Sequence, residues 1–452
     1  MVQDFTTGSL PRHLLKTSSF MLVTMVFQTL YVLVDLYWVS RLGTEAIAAV
    51  AISGNLMFIV LAATQMLGVG TTTLISHAVG GKDPGRALLV FNQAQALSMA
   101  VGVCFLIVAM VLRVPYANTM SADAVTAQLV ADYLLWFIPA MALQFGMVAI
   151  GAALRGIGNF RVGMVVGTAT IIMNIVLAPF LIFGWGTGRP MGIAGAALAS
   201  LIAIAAGIVW LLVYFVPKES YLKFVPSQWA PQLHLWRDLL KIGLPAGAEF
   251  VLMAVYLAIV YIVIRPFGAA AQAGFDIGGR VLQACFMPAV ALGFSAAPVA
   301  GQNFGARLAD RVKGTFVTAA VMAGSVMVLI ALVFNFWPAP IIRVFSADPQ
   351  AIAVGEEYLR IVSYSFVASG IVFVTSSMFQ AVGNTVPPLI SSAIRLLIVA
   401  VPLLFMPGME GFELRWVWYL SVATIWVQLT MSLLLLRREF ARKLNFGMPA
   451  AV

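Results

Sequence analysis

Long apolar stretches, separated by short polar segments, run along nearly the whole chain. A helix needs about 20 predominantly apolar residues to cross the hydrocarbon core of a bilayer. Runs of this kind predict twelve membrane-spanning helices, over residues 14–40, 45–78, 87–112, 124–152, 162–185, 191–216, 240–265, 269–301, 312–338, 349–378, 387–408 and 414–436. The second and eighth are longer than a bilayer requires, so we expect them to tilt or to project beyond it. The pattern predicts an all-α membrane protein.

The second half of the chain repeats the first at an offset of 225 residues. Identical residues recur at this offset over most of 150 residues, as in Leu14 and Leu239, Tyr31 and Tyr256, Gly43 and Gly268, Asp123 and Asp348, and Asn159 and Asn384. A duplicated unit in a very apolar chain is typical of transporters whose halves flank one central site.

Each repeat has six predicted spans, an even number, so both halves enter the membrane in the same orientation. We therefore predict two six-helix bundles related by a pseudo-twofold axis along the membrane normal. The N-terminal lobe covers residues 1–216, a cytoplasmic linker covers 217–240, and the C-terminal lobe covers 241–452.

Composition agrees with a membrane protein, and the basic residues predict its orientation. Hydrophobic residues make up 62% of the chain and charged residues 10%, against about 25% charged in soluble proteins. Seventeen Lys and Arg fall in the termini and even-numbered loops and six in odd-numbered loops, while Arg280, Arg360 and Arg395 lie inside predicted spans. Because basic loops stay cytoplasmic, both termini are predicted to be cytoplasmic. The net charge of +9 therefore does not indicate nucleic-acid binding.

Several local motifs occur in a fixed order on this repeat. Val34–Gly43 ends the first helix, Gly184–Ser200 turns into the sixth, and the loops Arg155–Asn159 and Gln380–Asn384 follow helices four and ten. Together they resemble the multidrug and toxic compound extrusion (MATE) family over nearly the whole chain. The resemblance implies a cation-coupled antiporter, driven by protons or sodium, that exports amphipathic and often cationic drugs or toxic metabolites by alternating access.

The resemblance also sets expectations about location and partners. We expect a multi-pass protein of the bacterial cytoplasmic (inner) membrane, with a drug-like small molecule and the lipid bilayer as its partners. We expect a monomer that binds no nucleic acid, has no enzymatic activity and needs no cofactor apart from its coupling ion. The three histidines show no metal-ligand spacing, and no nucleotide-binding or nucleophile motif is present.

Two positions depart from the family pattern. Family members with an acidic residue in helix one often carry a proline fifteen residues earlier, where this chain has Phe20. They also often have Asn-x-x-x-Asp in helix five, where this chain has Asn174 followed by Ala178. The resemblance therefore implies an N-terminal cation site with one acidic charge. This favours a proton over sodium, since a proton needs only one carboxylate.

Charged groups inside a bilayer are costly, so they usually face the bundle interior or a wet cavity. Asp35 is the principal candidate for binding the coupling ion, and the amide oxygen of Asn174 is its candidate neighbour. The alternatives are a polar anchor bonded to Tyr37 or a neighbouring helix for Asp35, and an interhelical hydrogen bond for Asn174. Tyr37 and Ser200 are further candidates for lining the cavity.

The second half carries candidates for contact with the substrate or a cation. Glu249 lies one turn after Pro245 and is either such a contact or the partner of Arg395. Asp276 and Arg280 share one helix face and form either an internal ion pair or a gate. Only Glu356 and Glu357 lie within one turn of Arg360 as possible partners.

Two other functions remain as alternatives. A lipid-linked or polysaccharide flippase of the same superfamily would need a large basic cavity for phosphates, and only three arginines lie inside predicted spans. An integral-membrane enzyme would need clustered Asp, Glu or His at one membrane face, and the sequence shows none.

Overall fold

The computed structural model describes residues 2–186, 188–215 and 221–446. Within these ranges the chain is helical with short connecting turns, and no β-strand is present. The helices are α1 Leu10–Ser40, α2 Thr44–Gly80, α3 Pro84–Met120, α4 Ala124–Gly156, α5 Phe160–Phe183, α6 Ile193–Tyr214, α7 Leu233–Ile264, α8 Ala269–Gly305, α9 Ala309–Phe336, α10 Pro338–Arg343, α11 Pro349–Val362, α12 Phe366–Ala381, α13 Val386–Phe405 and α14 Leu414–Lys443.

Twelve helical segments of the described chain are long and apolar enough to cross a membrane. The predicted all-α fold class with twelve spans is therefore confirmed. The tenth span is made of two helices, α11 and α12, joined by a 3-10 turn at Ser363–Ser365. The short helix α10, which precedes it, has no counterpart among the predicted spans.

Capping residues explain why α3 begins before the predicted span. Asp83 accepts a hydrogen bond of 2.9 Å from the backbone N–H of Arg86, and Pro84 occupies the first helical position. Proline is favoured there because that N–H would have no partner within the helix. The cap extends the helix beyond the apolar run.

The repeated Ser-Ala-Asp sequence caps a helix in each half. Asp123 accepts 2.8 Å hydrogen bonds from the backbone N–H and the hydroxyl of Thr126 at the start of α4. These bonds stabilise the carboxylate and lower the pKa of Asp123. Asp348 accepts one of 3.0 Å from the backbone N–H of Gln350 in α11. The repeat thus preserves a structural role as well as residue identity.

The chain forms two compact units whose boundaries fall inside α1 and α7. The first unit contains Phe20–Gly247 and the residues up to Asp4, and the second contains Phe5–Ser19 and the residues from Ala248 onward. The predicted lobe boundaries at 216 and 241 mark the sequence repeat, whereas the compact units divide near Pro245.

The first unit has its core between α2, α3, α4 and α6. Phe91, Leu134 and Phe145 are at most 1% exposed. The helices approach closely: the hydroxyl of Thr72 in α2 donates to the carbonyl of Ala152 in α4 at 3.0 Å. Small residues at helix crossings allow such contacts in membranes.

The second unit has an aromatic centre. The rings of Phe275 in α8 and Trp418 in α14 stack with a 7° angle between their planes and 5.4 Å between their centroids. Tyr358 in α11 packs edge-on against Trp418, with a centroid distance of 4.7 Å. Because the three rings meet at one point, these contacts fix how α8, α11 and α14 are rotated about their own axes.

Buried amides anchor the segment that precedes α7 to the first unit. Asn92 and Gln93 of α3 are fully buried. The Oδ1 atom of Asn92 accepts from the backbone N–H of Val225 (2.9 Å) and from the indole of Trp229 (3.0 Å). The Nε2 atom of Gln93 donates to the carbonyl of Ala230 at 2.8 Å. The segment is therefore held as part of the fold.

The segment that precedes α1 is anchored in a similar way within the second unit. Phe5 is fully buried, and its backbone N–H donates to Oε1 of Gln302 at 3.0 Å. The Phe5 carbonyl accepts from Asn303 at 3.1 Å and from Arg311 at 2.8 Å. Arg311 also donates from Nε to Asn303 at 2.9 Å.

Candidate functional site

A polar cluster joins three helices of the first unit. The hydroxyls of Tyr31 in α1 and Ser200 in α6 lie 3.1 Å apart. The amide nitrogen of Asn174 in α5 donates to the same Ser200 hydroxyl at 2.9 Å. Asp35 lies one turn after Tyr31 on α1, so the two side chains share one face of that helix. The cluster therefore brings Asp35, Asn174 and Ser200 into one region.

Two oxygen atoms in this cluster have no hydrogen-bond partner. They are Oδ1 of Asp35 and Oδ1 of Asn174, and both are buried. A buried polar atom without a partner destabilises the fold unless a ligand or ion satisfies it. Carboxylate and amide oxygens are acceptors suited to a proton or a hard cation. The predicted interhelical hydrogen bond of Asn174 is present, but it uses only the amide nitrogen.

Tyr37 lies apart from the cluster. Its side chain is exposed, and its hydroxyl accepts a 2.5 Å hydrogen bond from Arg41. Its ring packs edge-on against Trp38, at a centroid distance of 5.0 Å. Tyr31, which was not among the candidates from the sequence, lies in the cluster instead of Tyr37 and contacts Ser200. It is four residues before Asp35 and recurs as Tyr256, which is the signal that could have identified it.

A second polar cluster lies in the second unit, around Glu249 in α7. The carboxylate of Glu249 accepts 3.1 Å hydrogen bonds from the hydroxyls of Ser376 in α12 and Ser392 in α13. The Nε2 atom of Gln428 in α14 donates to Ser392 at 3.1 Å, while its Oε1 atom is buried without a partner. Four helices therefore meet around one carboxylate. No periodic pattern marks the two serines or Gln428 in the sequence.

Arg395 is not the partner of Glu249. No ion pair within 4.0 Å joins the two side chains, both of which are described. The guanidinium of Arg395 lies over the ring of Tyr256 instead, 5.1 Å from its centroid. The hydroxyl of Tyr256 lies 2.9 Å from that of Ser421 in α14. This pair repeats the Tyr31–Ser200 contact of the first unit.

The remaining charged candidates form local ion pairs. The Nε atom of Arg280 lies 2.9 Å from a carboxylate oxygen of Asp276, as predicted for one helix face, and Tyr261 donates to the same carboxylate at 3.0 Å. Arg360 pairs with Glu356 at 2.9 Å. Each pair neutralises itself within one turn of its own helix.

These observations define the class of protein. The described chain has twelve apolar spans, a duplicated sequence and buried polar clusters. This combination is typical of a polytopic membrane transporter. The model of the MatE family matches residues 21–180 and 245–406, which is more than half of the chain. The chain therefore belongs to the MATE family of multidrug efflux transporters, and the resemblance of its motifs is confirmed.

Three curated relatives cover most of the chain. It is 26% identical over 392 residues to the "Probable multidrug resistance protein YoeA" of Bacillus subtilis (strain 168), covering 85% of this chain and 84% of that protein. It is 25% identical to the "Multidrug export protein MepA" of Staphylococcus haemolyticus (strain JCSC1435), covering 84% and 83%. It is 24% identical to a "FAD transporter" of Shewanella oneidensis, covering 84% and 85%.

Solved structures share the fold. The structure titled "Crystal structure of MATE in complex with MaD3S" superposes with a TM-score of 0.89 at 23% identity, covering 97% of this chain and 98% of that one. The "Outward-facing conformation of a multidrug resistance MATE family transporter of the MOP superfamily" gives a TM-score of 0.89 at 23% identity, covering 97% of both chains. The shared fold agrees with the family that the MatE model identifies, whose members are membrane transporters and not enzymes.

Proposed function

We propose that this protein is a proton-driven antiporter that exports amphipathic, often cationic organic compounds, and that Asp35 is its coupling group. The observation that carries the proposal is the buried Oδ1 atom of Asp35, which has no hydrogen-bond partner. A buried carboxylate without a hydrogen-bond partner can bind a proton, which neutralises its charge, and can release that proton when its surroundings change. Proton binding can therefore bias the conformation of α1.

A proton is favoured over sodium because the first cluster contains a single acid. Ala178, one turn after Asn174, is 1% exposed and supplies no oxygen to the cluster from its side chain. Sodium binding to Asp35 would be assisted only by neutral oxygens, such as Oδ1 of Asn174. A site with one negative charge attracts a metal cation less strongly than a site with two.

Glu249 is proposed as the contact for a cationic group of the substrate. Its carboxylate is held by two neutral serine hydroxyls, and no basic residue in the described part of the chain lies within 4.0 Å of it. Its negative charge therefore remains available to a cationic nitrogen. The flippase alternative is less well supported, since Arg280 and Arg360 are already paired with acids.

The test is efflux from proteoliposomes in which a pH gradient or a sodium gradient is imposed separately. We expect the pH gradient to drive export of a fluorescent cationic dye and the sodium gradient to have no effect. Asp35→Asn removes the titratable group but keeps the volume, and it should abolish driven export while the protein still reaches the membrane.

Asp132→Asn is the matched control in the same unit. Asp132 is a satisfied acid, which accepts a 2.9 Å hydrogen bond from Gln128 at an exposed position. This variant should transport at the wild-type rate. Export that follows only the sodium gradient would refute proton coupling, and wild-type export by Asp35→Asn would refute the role of Asp35.

A further inference from the structure

A groove on the second unit lies between the start of α9 and the end of α14, and its volume is about 370 Å³. The helix α12 packs against both of these helices. The apolar part of the lining includes Phe316, Leu433 and Phe440, and the basic part consists of Lys313 and Arg437. The rings of Phe316 and Phe440 meet edge-on, with 6.4 Å between their centroids. The groove therefore joins an apolar wall to a positively charged end.

The two parts of the lining lie at different depths in the membrane. The last predicted span ends at residue 436, directly before Arg437, and the ninth predicted span begins at residue 312, next to Lys313. The two basic side chains are therefore expected at the level of the lipid head groups. Leu433 lies one turn inside the apolar span and is 36% exposed, so it is open to lipid chains. The order of apolar and charged groups along the groove is the order found in a phospholipid.

The positive charge of the groove is not balanced by an acid. Lys313 and Arg437 are exposed, and neither lies within 4.0 Å of a carboxylate in the described part of the chain. The acid that α14 carries, Glu439, is 7% exposed and is already paired with Arg442 at 3.0 Å and with Lys443 at 3.4 Å. The charges of Lys313 and Arg437 therefore remain available to an anion.

We propose that this groove is a binding site for an anionic phospholipid, with the phosphate between Lys313 and Arg437 and one acyl chain along Phe316, Leu433 and Phe440. Guanidinium and ammonium groups bind phosphate oxygens through charge-assisted hydrogen bonds. Basic pockets between helices at a membrane surface attract anionic head groups in this way. The apolar wall adds affinity in proportion to the area that it buries. A zwitterionic lipid gains the apolar contact but has no net negative charge.

The experiment compares two lipids that differ only in their head groups. The purified full-length protein in detergent is titrated with phosphatidylglycerol or with phosphatidylcholine, each carrying the same fluorescent acyl chain. We expect wild type to bind phosphatidylglycerol about tenfold or more tightly than phosphatidylcholine. The double variant Lys313→Gln/Arg437→Gln should lose about tenfold or more of its affinity for phosphatidylglycerol and keep its affinity for phosphatidylcholine. Equal affinity of wild type for the two lipids would overturn the proposal.

The double variant Arg12→Gln/Lys16→Gln serves as the control for net charge. It removes two exposed basic residues of α1 that belong to the same compact unit but not to the groove. It should bind phosphatidylglycerol as wild type does, and a loss equal to that of the groove variant would show attraction to positive charge in general. If the groove variant melts at a lower temperature than wild type, Arg437→Gln alone decides, compared with Arg437→Lys, which keeps the charge and should keep the affinity.

Two further measurements test other occupants of the groove. Glycerol phosphate carries the same charged group without acyl chains and should displace the fluorescent phosphatidylglycerol only weakly. Displacement at concentrations as low as those of unlabelled phosphatidylglycerol would identify a soluble anion and overturn the proposal. The mass of the purified protein in detergent is measured as well. A dimer that dissociates in Lys313→Gln/Arg437→Gln would show that a second copy of the chain occupies the groove, and this also would overturn the proposal.

Discussion

At the scale of single residues, one hydroxyl holds the first polar cluster together. Ser200 is bonded to both Tyr31 and Asn174, so it links α6 to α1 and α5. Its counterpart Ser421 contacts Tyr256. The two serines therefore occupy similar places in the two halves, but Ser200 bonds to two neighbouring side chains and Ser421 to one.

Replacing each serine with alanine measures that difference. Ser200→Ala leaves two polar groups without their partner and should lower the free energy of unfolding by about 1–2 kcal/mol. Ser421→Ala leaves only the Tyr256 hydroxyl and should cost roughly half as much. Thermal unfolding of both variants in detergent gives the comparison, and equal losses would contradict the linking role of Ser200.

At the scale of helices, backbone contact determines where small residues are required. A Cβ atom on Gly102 in α3 would lie 2.8 Å from the carbonyl oxygen of Ala142 in α4. Real Cβ atoms do not approach a backbone oxygen so closely, so any side chain at this position must separate the two helices. Gly146, also in α4, has nothing within 4 Å of the same hypothetical atom.

The two glycines should therefore respond to alanine in opposite directions. Gly102→Ala should destabilise the protein by about 1–3 kcal/mol, because the contact between α3 and α4 must open. Gly146→Ala should stabilise it by about 0.5–1 kcal/mol, because alanine loses less backbone entropy in a helix. The melting temperatures of the purified variants test this, and a stable Gly102→Ala variant would show that the helices can yield there.

At the scale of the whole molecule, the duplication and the basic residues determine the proposed topology. Six spans in each repeat return the chain to the side from which it entered. The Lys and Arg of the termini and even-numbered loops outnumber those of the odd-numbered loops by seventeen to six. Because basic segments remain in the cytoplasm, both termini are proposed to lie there.

Reporter fusions at each terminus test this topology in cells. A fluorescent protein that folds only in the cytoplasm should be bright at both ends, and alkaline phosphatase, which folds only outside, should be inactive at both. Active phosphatase at the C-terminus would mean that a span is missing or that the orientation is inverted. A fusion in the loop at residues 121–123, between α3 and α4, should give the opposite signals.

Much of the architecture could be predicted because its signals are local. The length of the apolar runs identifies each span, and Asp83 and Asp123 mark helix starts through their own neighbours. The break in the tenth span at Ser363–Ser365 was not predicted, since apolar residues continue on both sides of it. Hydropathy reports where the chain is apolar but not where a helix changes its hydrogen-bond pattern.

The candidate sites depended far more on the tertiary structure. The sequence alone determined that this is a duplicated membrane transporter with few acids in its spans, because composition and repeats need no knowledge of contacts. Only the tertiary structure decided that Tyr31 rather than Tyr37 joins Ser200 and Asn174, and that Arg395 lies over Tyr256 and not beside Glu249. The physical reason is that the sequence does not specify how each helix is rotated about its own axis. Helices that are apolar on nearly every face carry little sequence signal for which face turns inward, so the packing of distant helices alone sets which polar groups meet.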